Sequence, residues 1–219
     1  MPSGFVRASD LPAVLPVFPL DGAILLPRGQ IPLNIFEPRY LNMIDDVMAG
    51  DRLIGMVQTK TGMSGERPSL QGVGCVGRVT SFTETSDGRY LITLSGLCRF
   101  AVGDELSAPT PYRQVRARFA PFERDLDPPA DDEAVDREPL MRALKAYLER
   151  KSMAVDWDAA EQAPVEALTN SLAMALPFEA LEKQVLLEAA TLEERLDTLA
   201  ALLAIEAAGS EDDEPPLMQ

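Results

Sequence analysis

The chain has 219 residues, of which 46% are apolar and 25% are charged, and it carries a net charge of −15 without a single histidine. This composition is typical of a soluble globular protein with one large domain or two small ones. No apolar run approaches the roughly 20 residues that a bilayer-spanning helix needs, and the N-terminus lacks the apolar segment of a signal peptide. The sequence therefore predicts a cytoplasmic protein without membrane contact.

Prolines interrupt the first predicted strands. Five of them fall between residues 15 and 40, where each removes a backbone donor and fixes φ: Pro16, Pro19, Pro27, Pro32 and Pro38. Short strands with bent edges remain, and they lead into a helix that begins at Pro38, places Asp45 and Asp46 on its solvent side and ends near Gly50. This arrangement favours a small, strongly curved barrel over a nucleotide-binding sheet.

Period-two alternation of apolar and polar residues continues through the first half of the chain. It predicts strands over residues 30–35, 53–57, 73–82, 90–94 and 112–119. Asp87-Gly88 lies between two of these strands and is typical of a hairpin turn, because both residues tolerate positive φ. Cys75 and Cys98 fall within strands at a spacing that indicates neither a metal site nor a redox pair, so we expect two small buried side chains.

Helical periodicity replaces this alternation in the second half. Apolar stripes predict four helices, over residues 140–148, 165–176, 181–186 and 192–203. Pro139 suits the first turn of the first helix, Pro177 ends the second, and Thr191 with Glu194 forms a capping box at the start of the fourth. The sequence therefore predicts an α+β protein in which a β barrel with one inserted helix precedes a helical bundle.

The charge changes where the periodicity changes. Residues 1–120 carry 12 Lys and Arg against 11 Asp and Glu, whereas residues 121–219 carry 8 against 24. We therefore place a domain boundary in this region, within a polar stretch that contains two prolines. The expected organisation is a barrel domain over residues 1–122, a linker over 123–132, a helical bundle over 133–208 and a disordered acidic tail over 209–219.

Six blocks of sequence carry a family resemblance. They are LPVFPL, PRGQIPLNIFEPRY, MAGDRLIGMV, GVGCVGRVTSF, YLITLSGLCRFAV and LPFEALEKQVLLEAATLEERLDTLAALL, in this order between residues 15 and 205. Together they resemble the Lon protease N-terminal (substrate-binding) domain family, and the IFEPRY form is most similar to versions that occur as free-standing proteins. The resemblance implies a PUA-like antiparallel β pseudo-barrel followed by a C-terminal helical bundle, and a capacity to capture unfolded protein substrates.

We find no catalytic, metal or cofactor motif in the sequence. Without histidine the chain lacks the commonest general base, a Ser-His or Cys-His nucleophile pair and any histidine metal ligand. No phosphate-binding G-x-x-x-x-G-K-[ST] motif occurs, and Gly72, Gly74 and Gly77 do not match a dinucleotide-binding fingerprint. Nor does the sequence contain the ATPase or Ser-Lys peptidase motifs of full-length Lon proteases. We therefore expect a protein that is not an enzyme and uses no cofactor.

Binding of an unfolded or extended polypeptide is the predicted activity. The candidate surface combines a proline-broken edge with the long loop 59–70, and its residues are Ile24, Leu25, Leu26, Pro27 and Met63. The resemblance adds Phe36, Arg39 and Tyr40, but we expect Phe36 to anchor the inserted helix to the barrel and Tyr40 to pack on the same core in preference to a direct ligand role. Glu37, just before this helix, is expected to cap it or to form an ion pair with Arg39.

A small-molecule or RNA-binding module of the PUA-like type is the alternative function. Three arginines alternate in the last predicted strand: Arg113, Arg116 and Arg118. We interpret them as a solvent-facing row, and a half-chain of charge +1 joined to one of −16 disfavours nucleic acid as a partner. A protease or chaperone system is a further candidate partner, and the sequence leaves the oligomeric state open.

Overall fold

The computed structural model describes residues 7–60, 67–129, 135–153 and 156–209. Within these ranges the strands are β1 (Val14–Pro19), β2 (Gln30–Ile35), β3 (Leu53–Val57), β4 (Val73–Glu84), β5 (Tyr90–Glu105) and β6 (Arg113–Arg118). The helices are α1 (Pro38–Met48), α2 (Glu138–Lys151), α3 (Trp157–Gln162), α4 (Val165–Ala175), α5 (Ala180–Glu188) and α6 (Leu192–Ala208). Short 3-10 turns occur at Ala8–Asp10 and Ala120–Leu126. The predicted α+β class is confirmed.

Five of the strands form a closed ring. Along it, β5 pairs with β4, β4 with β3, β3 with β1 and β1 with β6, and β6 pairs again with the C-terminal part of β5. The strand β2 lies outside the ring, where it pairs with the N-terminal part of β5 from Gln30 opposite Ser95 to Ile35 opposite Tyr90. A closed barrel therefore continues into an open sheet made of β2, the start of β5 and the end of β4.

The sheet is mixed, whereas the sequence analysis expected an antiparallel one. β1 and β3 run parallel, with Val17 opposite Gly55 and Pro19 opposite Val57. A parallel pair requires a long crossover connection, and the residues between β1 and β3 supply one that contains β2 and α1. Proline-broken segments give no signal of strand direction, so the expectation of a wholly antiparallel barrel was wrong at this one pair.

The barrel interior is filled by aliphatic side chains around one aromatic ring. Phe100 is fully buried and lies 6.1 Å from Phe119 between ring centroids. A Cβ atom on Gly55 or Gly74 would lie 2.8 or 2.9 Å from the tip of the Phe100 ring. These glycines therefore leave room for a large side chain in a narrow barrel.

Helix α1 is attached to the strands through two carboxylates. The Tyr90 hydroxyl donates to Oδ1 of Asp45 at 2.9 Å, and the Tyr112 hydroxyl donates to Oδ2 of Asp46 at 2.7 Å. Burial, together with the hydrogen bond to Asp46, raises the pKa of Tyr112 to about 12. The prediction that both aspartates only face solvent was therefore incomplete, because each also accepts a hydrogen bond from a strand residue.

The start of the expected linker is part of the barrel. Asp125 and Arg99 form a buried ion pair with three hydrogen bonds of 2.9 Å. Oδ2 of Asp125 accepts from the backbone N–H and from Nε of Arg99, and Oδ1 accepts from Nη2. Their side chains are 8% and 6% exposed, and Nη1 of Arg99 donates to the carbonyl of Leu187. A buried charge requires such pairing, so residues 120–126 are fixed to β5 instead of forming a free linker.

The described structure divides into two compact units that differ from the expected domains. The first consists of Met1–Pro129 with Asn170–Glu188, and the second of Ala130–Thr169 with Ala189–Gln219. Helix α5 belongs to the first unit, where Gln184 donates to the carbonyl of Val73 at 3.1 Å and Gln58 donates to the carbonyl of Ala180 at 2.8 Å. The division therefore cuts through α4 and does not follow the polar stretch 123–132.

In the second unit, α2 and α6 bury the leucines that predicted them. Leu140, Leu144, Leu196, Leu199 and Leu203 are all at most 1% exposed. Thr191 caps α6 as predicted, since its side chain accepts from the Glu194 backbone, while the Glu194 carboxylate accepts from the Ala190 backbone. The short helix α3 was not predicted. None of the described helices has the length and apolarity required to span a membrane.

Candidate functional site

The four residues of the predicted binding edge are buried. Ile24, Leu25 and Leu26 are at most 1% exposed, and Pro27 is also buried. Their segment is not a strand, and the Pro27 carbonyl accepts a hydrogen bond from the Asn170 side chain at 3.1 Å. A Cβ on Gly96 would overlap the Leu26 carbonyl, so this segment lies directly on the β5 backbone. The expectation that these residues form an exposed edge was therefore wrong, because the apolar run fills the interior.

Phe36 and Met63 have different outcomes. Phe36, expected to anchor α1, is 62% exposed, so it contributes little to packing and that role is wrong. Its position directly after β2 places an apolar ring at the border of the open sheet. Met63 lies outside the described residues. Of the two, Phe36 alone can be related to the surface described next.

The open edge lies at the end of β4. Residues 73–79 of this strand are mostly buried, whereas each of residues 80–84 is exposed. β3 pairs with β4 only from Cys75 to Arg78, and no other strand among the described residues pairs with that side of residues 80–84. One edge of the last five residues of β4 is therefore unpaired.

The backbone groups that face this open edge follow from the ladder pattern. The Thr85 backbone N–H donates to the Arg89 carbonyl at 2.9 Å, which makes these two residues a hydrogen-bonded pair. Such pairs alternate along an antiparallel ladder, so Thr83 and Ser81 direct their backbone groups toward Leu91 and Thr93 of β5. The backbone N–H and C=O groups of Phe82 and Glu84 consequently point to the open edge.

The opposite border of the same sheet is formed by β2 and is less suited to pairing. The same alternation directs the backbone groups of Ile31, Leu33 and Ile35 toward β5 and those of Gln30, Pro32 and Asn34 outward. Pro32 has no N–H, so the outer edge of β2 lacks a donor at its centre. The edge of β4 contains no proline between residues 80 and 84 and keeps all its donors.

A shallow groove of about 320 Å³ lies on one face of this open sheet. Two rows of side chains cross it, one formed by Asn34, Leu91 and Thr83 and the other by Pro32, Thr93 and Ser81. Leu91 is 45% exposed in the groove, and Phe82 is 39% exposed on the other face, where its ring packs edge-on against Tyr90. We call this groove together with residues 80–84 the β4-edge surface.

A second concave site surrounds Tyr40. It measures about 450 Å³ and is lined by Pro19, Arg39, Tyr40, Thr59, Arg67, Pro68, Ala108, Thr110, Pro111 and Arg113. The Tyr40 ring is 6% exposed and packs edge-on against Phe18, with centroids 4.5 Å apart. Its packing on the barrel is thus confirmed, and burial raises the pKa of its hydroxyl. We call this site the arginine pocket.

Two carboxylates hold the guanidinium groups of the arginine pocket. Glu37 accepts from Nε and Nη2 of Arg39 at 2.9 and 2.8 Å, which confirms the predicted ion pair, but its side chain does not cap α1. Glu105 accepts from Nε and Nη2 of Arg113 at 2.9 and 2.6 Å and from Nη2 of Arg67 at 2.9 Å. Hydrogen bonding from Arg113 lowers the pKa of Glu105.

Sequence reasoning missed the role of Arg113. The alternating arginines of β6 suggested one solvent-facing row, but the Arg113 side chain is 12% exposed and also donates to the Pro68 carbonyl at 2.8 Å. Arg113 has the same parity as buried Val115 and Ala117, whereas Arg116 and Arg118 are exposed. Because successive side chains of a strand point to opposite faces, the positions of Val115 and Ala117 would have placed Arg113 on the buried face and Arg116 and Arg118 on the exposed one.

The described residues contain neither a cluster of metal ligands nor an exposed thiol. No group of three or more His, Cys, Asp and Glu there could hold a metal ion. Cys75 and Cys98 are buried and not joined by a disulfide, as expected. Burial raises the pKa of Cys98 to about 12, so its thiol stays protonated and unreactive at neutral pH.

Comparison with known sequences identifies one family. A family profile described as the ATP-dependent protease La (LON) substrate-binding domain matches residues 14–204. Lon protease 2 of Myxococcus xanthus is 28% identical over 214 residues, which cover 92% of this chain and 25% of that protein. The Lon protease of Anaeromyxobacter dehalogenans is 28% identical over 218 residues, covering 92% of this chain and 24% of that protein. The chain spans about a quarter of the length of these relatives.

Two solved structures are similar in fold. The Lon N-terminal domain protein from Xanthomonas campestris has a TM-score of 0.59 at 22% identity, covering 86% of this chain and 97% of that one. The N-terminal domain of the Mycobacterium avium complex Lon protease has a TM-score of 0.64 at 20% identity, covering 87% of this chain and 98% of that one. At these identities the likeness establishes the fold.

Proposed function

Because this chain belongs to the family of ATP-dependent protease La (LON) substrate-binding domains, we propose that it binds extended polypeptides without acting on them chemically. The β4-edge surface is the proposed binding site. An extended segment of a client polypeptide adds there as one further strand beside residues 80–84. In the cytoplasm, such a protein would act as an adaptor or quality-control factor that delivers clients to a protease or chaperone system.

The unpaired edge of β4 is the observation that carries this proposal. Natural sheets cover their edges or interrupt them with prolines and charges, since an open edge pairs readily with another chain. Residues 80–84 read Thr-Ser-Phe-Thr-Glu, with one charge at the end and no proline. Each N–H and C=O that Phe82 and Glu84 direct outward can bond to a client backbone.

The surroundings of this edge fit a client of variable sequence. Backbone hydrogen bonds do not distinguish side chains, so the edge accepts many sequences. Three large apolar side chains are exposed on or beside the open sheet, namely Phe36, Phe82 and Leu91. Exposed apolar groups of this kind gain by contact with the apolar side chains of an unfolded client.

Paired substitutions at Glu84 test the proposal. Glu84→Pro removes an outward-facing N–H near the end of the strand, while Glu84→Ala removes the same carboxylate and keeps the N–H. We expect Glu84→Pro to weaken binding roughly tenfold, the effect of one or two lost hydrogen bonds, and Glu84→Ala to change it little. The probe is a fluorescently labelled protein kept unfolded by reduction and carbamidomethylation, and the readout is anisotropy.

Two results would contradict the proposal. One is equal binding by the Pro and Ala variants when circular dichroism shows both to be folded. The other is the absence of saturable binding by the wild-type protein. A peptide N-methylated at alternate residues provides a test from the client side, because it cannot complete the ladder and should bind more weakly than its unmethylated form.

A further inference from the structure

We propose that the arginine pocket is a carboxylate-binding subsite that selects clients by an acidic side chain or a free C-terminal carboxylate. This inference rests on the proposed function, since the carboxylate belongs to a bound polypeptide. It goes beyond that function because strand addition alone does not distinguish client sequences. Four features of the pocket support it: unused donors, a positioned hydroxyl, net charge and wall composition.

The guanidinium groups of the pocket keep unused donors. Arg39 bonds to Glu37 through Nε and Nη2, so its Nη1 has no partner among the described residues. Arg67 bonds to Glu105 through Nη2 alone, so its Nε and Nη1 are likewise without a described partner. The Arg39 and Arg67 side chains are 48% and 66% exposed. Both can therefore reorient toward a ligand, while the more buried Arg113 stays bonded to Glu105 and Pro68.

The Tyr40 hydroxyl supplies a neutral donor in the same pocket. Tyr40 is 6% exposed, and within the described ranges its hydroxyl forms no hydrogen bond. The ring is buried, but the hydroxyl oxygen reaches solvent at the pocket and can exchange water for a ligand acceptor. The ring is fixed between Phe18 and the Arg39 guanidinium, whose Cζ lies 4.5 Å from the ring centroid. The hydroxyl position is therefore set before a ligand arrives.

Charge determines the sign of the ligand. Three guanidinium groups line the pocket and two carboxylates pair with them, so these five side chains carry a net charge of +1 in a chain whose total is −15. The planar fork of arginine matches the two oxygens of a carboxylate. A phosphate dianion would be repelled more strongly by Glu37 and Glu105 than a carboxylate of single charge. This difference in repulsion favours a carboxylate over a phosphate as the ligand.

The walls of the pocket suit the carbon chain that carries such a group. Pro19, Pro68, Ala108 and Pro111 contribute apolar surface beside the arginines. An Asp or Glu side chain, or a C-terminal residue, can place its methylenes against these walls while its oxygens reach Arg39, Arg67 and Tyr40. A cationic or wholly apolar side chain would leave the free donors without partners.

A peptide series tests the inference with the wild-type protein. The peptides share one extended sequence and differ in a single group: an internal Asp or Asn, and a free or amidated C-terminus. We expect either carboxylate to tighten binding about tenfold over the neutral peptide, the effect of one or two charge-assisted hydrogen bonds. The comparison between the two arms shows whether the side chain or the terminus supplies the group.

Variants assign the effect to the pocket. Arg67→Gln removes a mostly exposed guanidinium, and Tyr40→Phe removes only the hydroxyl and keeps the ring. Both should abolish most of the tenfold preference, because the peptides with a carboxylate lose more affinity than the neutral peptide does. Arg118→Gln is the matched control, because it removes the same charge from an exposed position of β6 outside the pocket and should keep the preference.

The outcomes separate the two proposals. Binding of the neutral peptide without a preference for either carboxylate would overturn the subsite and leave the proposed function standing. A loss of preference in Arg118→Gln equal to that in Arg67→Gln would also overturn the subsite, because overall charge would then be the cause. Failure of every peptide to bind would overturn the proposed function and the subsite together.

Discussion

Strands β4 and β5 pass through two regions of opposite character. In the closed barrel, residues 75–78 of β4 pair with β3 on one side and β5 on the other, and residues 73–79 are mostly buried. In the open sheet, residues 80–84 of the same strand have β5 on one side and no described strand on the other, and all five are exposed. A register shift between Val79 and Ser81 marks the change.

The comparison assigns the first part of β4 to the stability of the barrel, and the proposed function assigns its last five residues to binding. The barrel satisfies its backbone groups internally and packs its side chains around Phe100. The open sheet leaves backbone groups and apolar side chains at the surface, which weakens its contribution to stability and provides the edge that we propose for client binding. The predictions below test this contrast, from the largest expected effect to the smallest.

Matched phenylalanine substitutions should separate the two regions most strongly. Phe100 is fully buried in the barrel, whereas Phe82 is 39% exposed in the open sheet. We expect Phe100→Ala to lower the free energy of unfolding by about 3–5 kcal/mol, and Phe82→Ala to lower it by about 1 kcal/mol, mostly through its edge-on contact with Tyr90. Urea denaturation measures both, and equal losses would contradict the division into a barrel and an open sheet.

A methyl group at Gly96 should disturb the buried segment 24–27, which contains Leu26. The added Cβ would overlap the Leu26 carbonyl, so we expect Gly96→Ala to cost about 1–3 kcal/mol of unfolding free energy. Gly72→Ala is the control, because nothing lies within 4 Å of its Cβ position, and it should change stability by less than about 1 kcal/mol. If denaturant unfolding shows similar losses of unfolding free energy for both variants, the close contact between Gly96 and the Leu26 carbonyl is contradicted.

The ion pairs of Glu105 should make the barrel sensitive to acid. The pKa of Glu105 is lowered in the folded protein, so its contribution to stability is present above the unfolded pKa, near 4.3, and is lost as pH falls through the folded value. The stability advantage of the wild-type protein over Glu105→Gln should therefore shrink below roughly pH 4. Urea unfolding at several pH values measures this, and an advantage over Glu105→Gln that stays constant down to about pH 3 would contradict it.

The local pattern of apolar residues and the positions of prolines made much of the fold predictable. β3 was predicted with its observed bounds, and α1 was predicted from Pro38 because proline and the apolar stripe coincide at its start. The later part of β5 was not predicted. The helix α3 was also missed, since it is only six residues long and its main local signal is the N-cap Asp156.

The two candidate sites depended on tertiary pairing that the sequence does not encode locally. Residues 24–27 were expected to form an exposed edge and residues 73–82 to form one strand, yet the first segment is buried and the end of the strand is open on one side. The difference arises from where β3 stops pairing with β4 and where the first segment meets Gly96. Arg39 and Tyr40 were identified through the family resemblance, whereas Arg67 and Arg113 join them only through long-range contacts with Glu105.

Residue-resolved amide hydrogen exchange tests strand addition at β4 most directly. In the free protein, the amides of Phe82 and Glu84 should exchange rapidly, because their N–H groups face the open edge, while those of Ser81 and Thr83 should be protected by β5. Saturation with an unfolded client should slow exchange at Phe82 and Glu84 and leave Ser81 and Thr83 nearly unchanged. Unaltered exchange at Phe82 and Glu84 in the saturated complex would contradict the account.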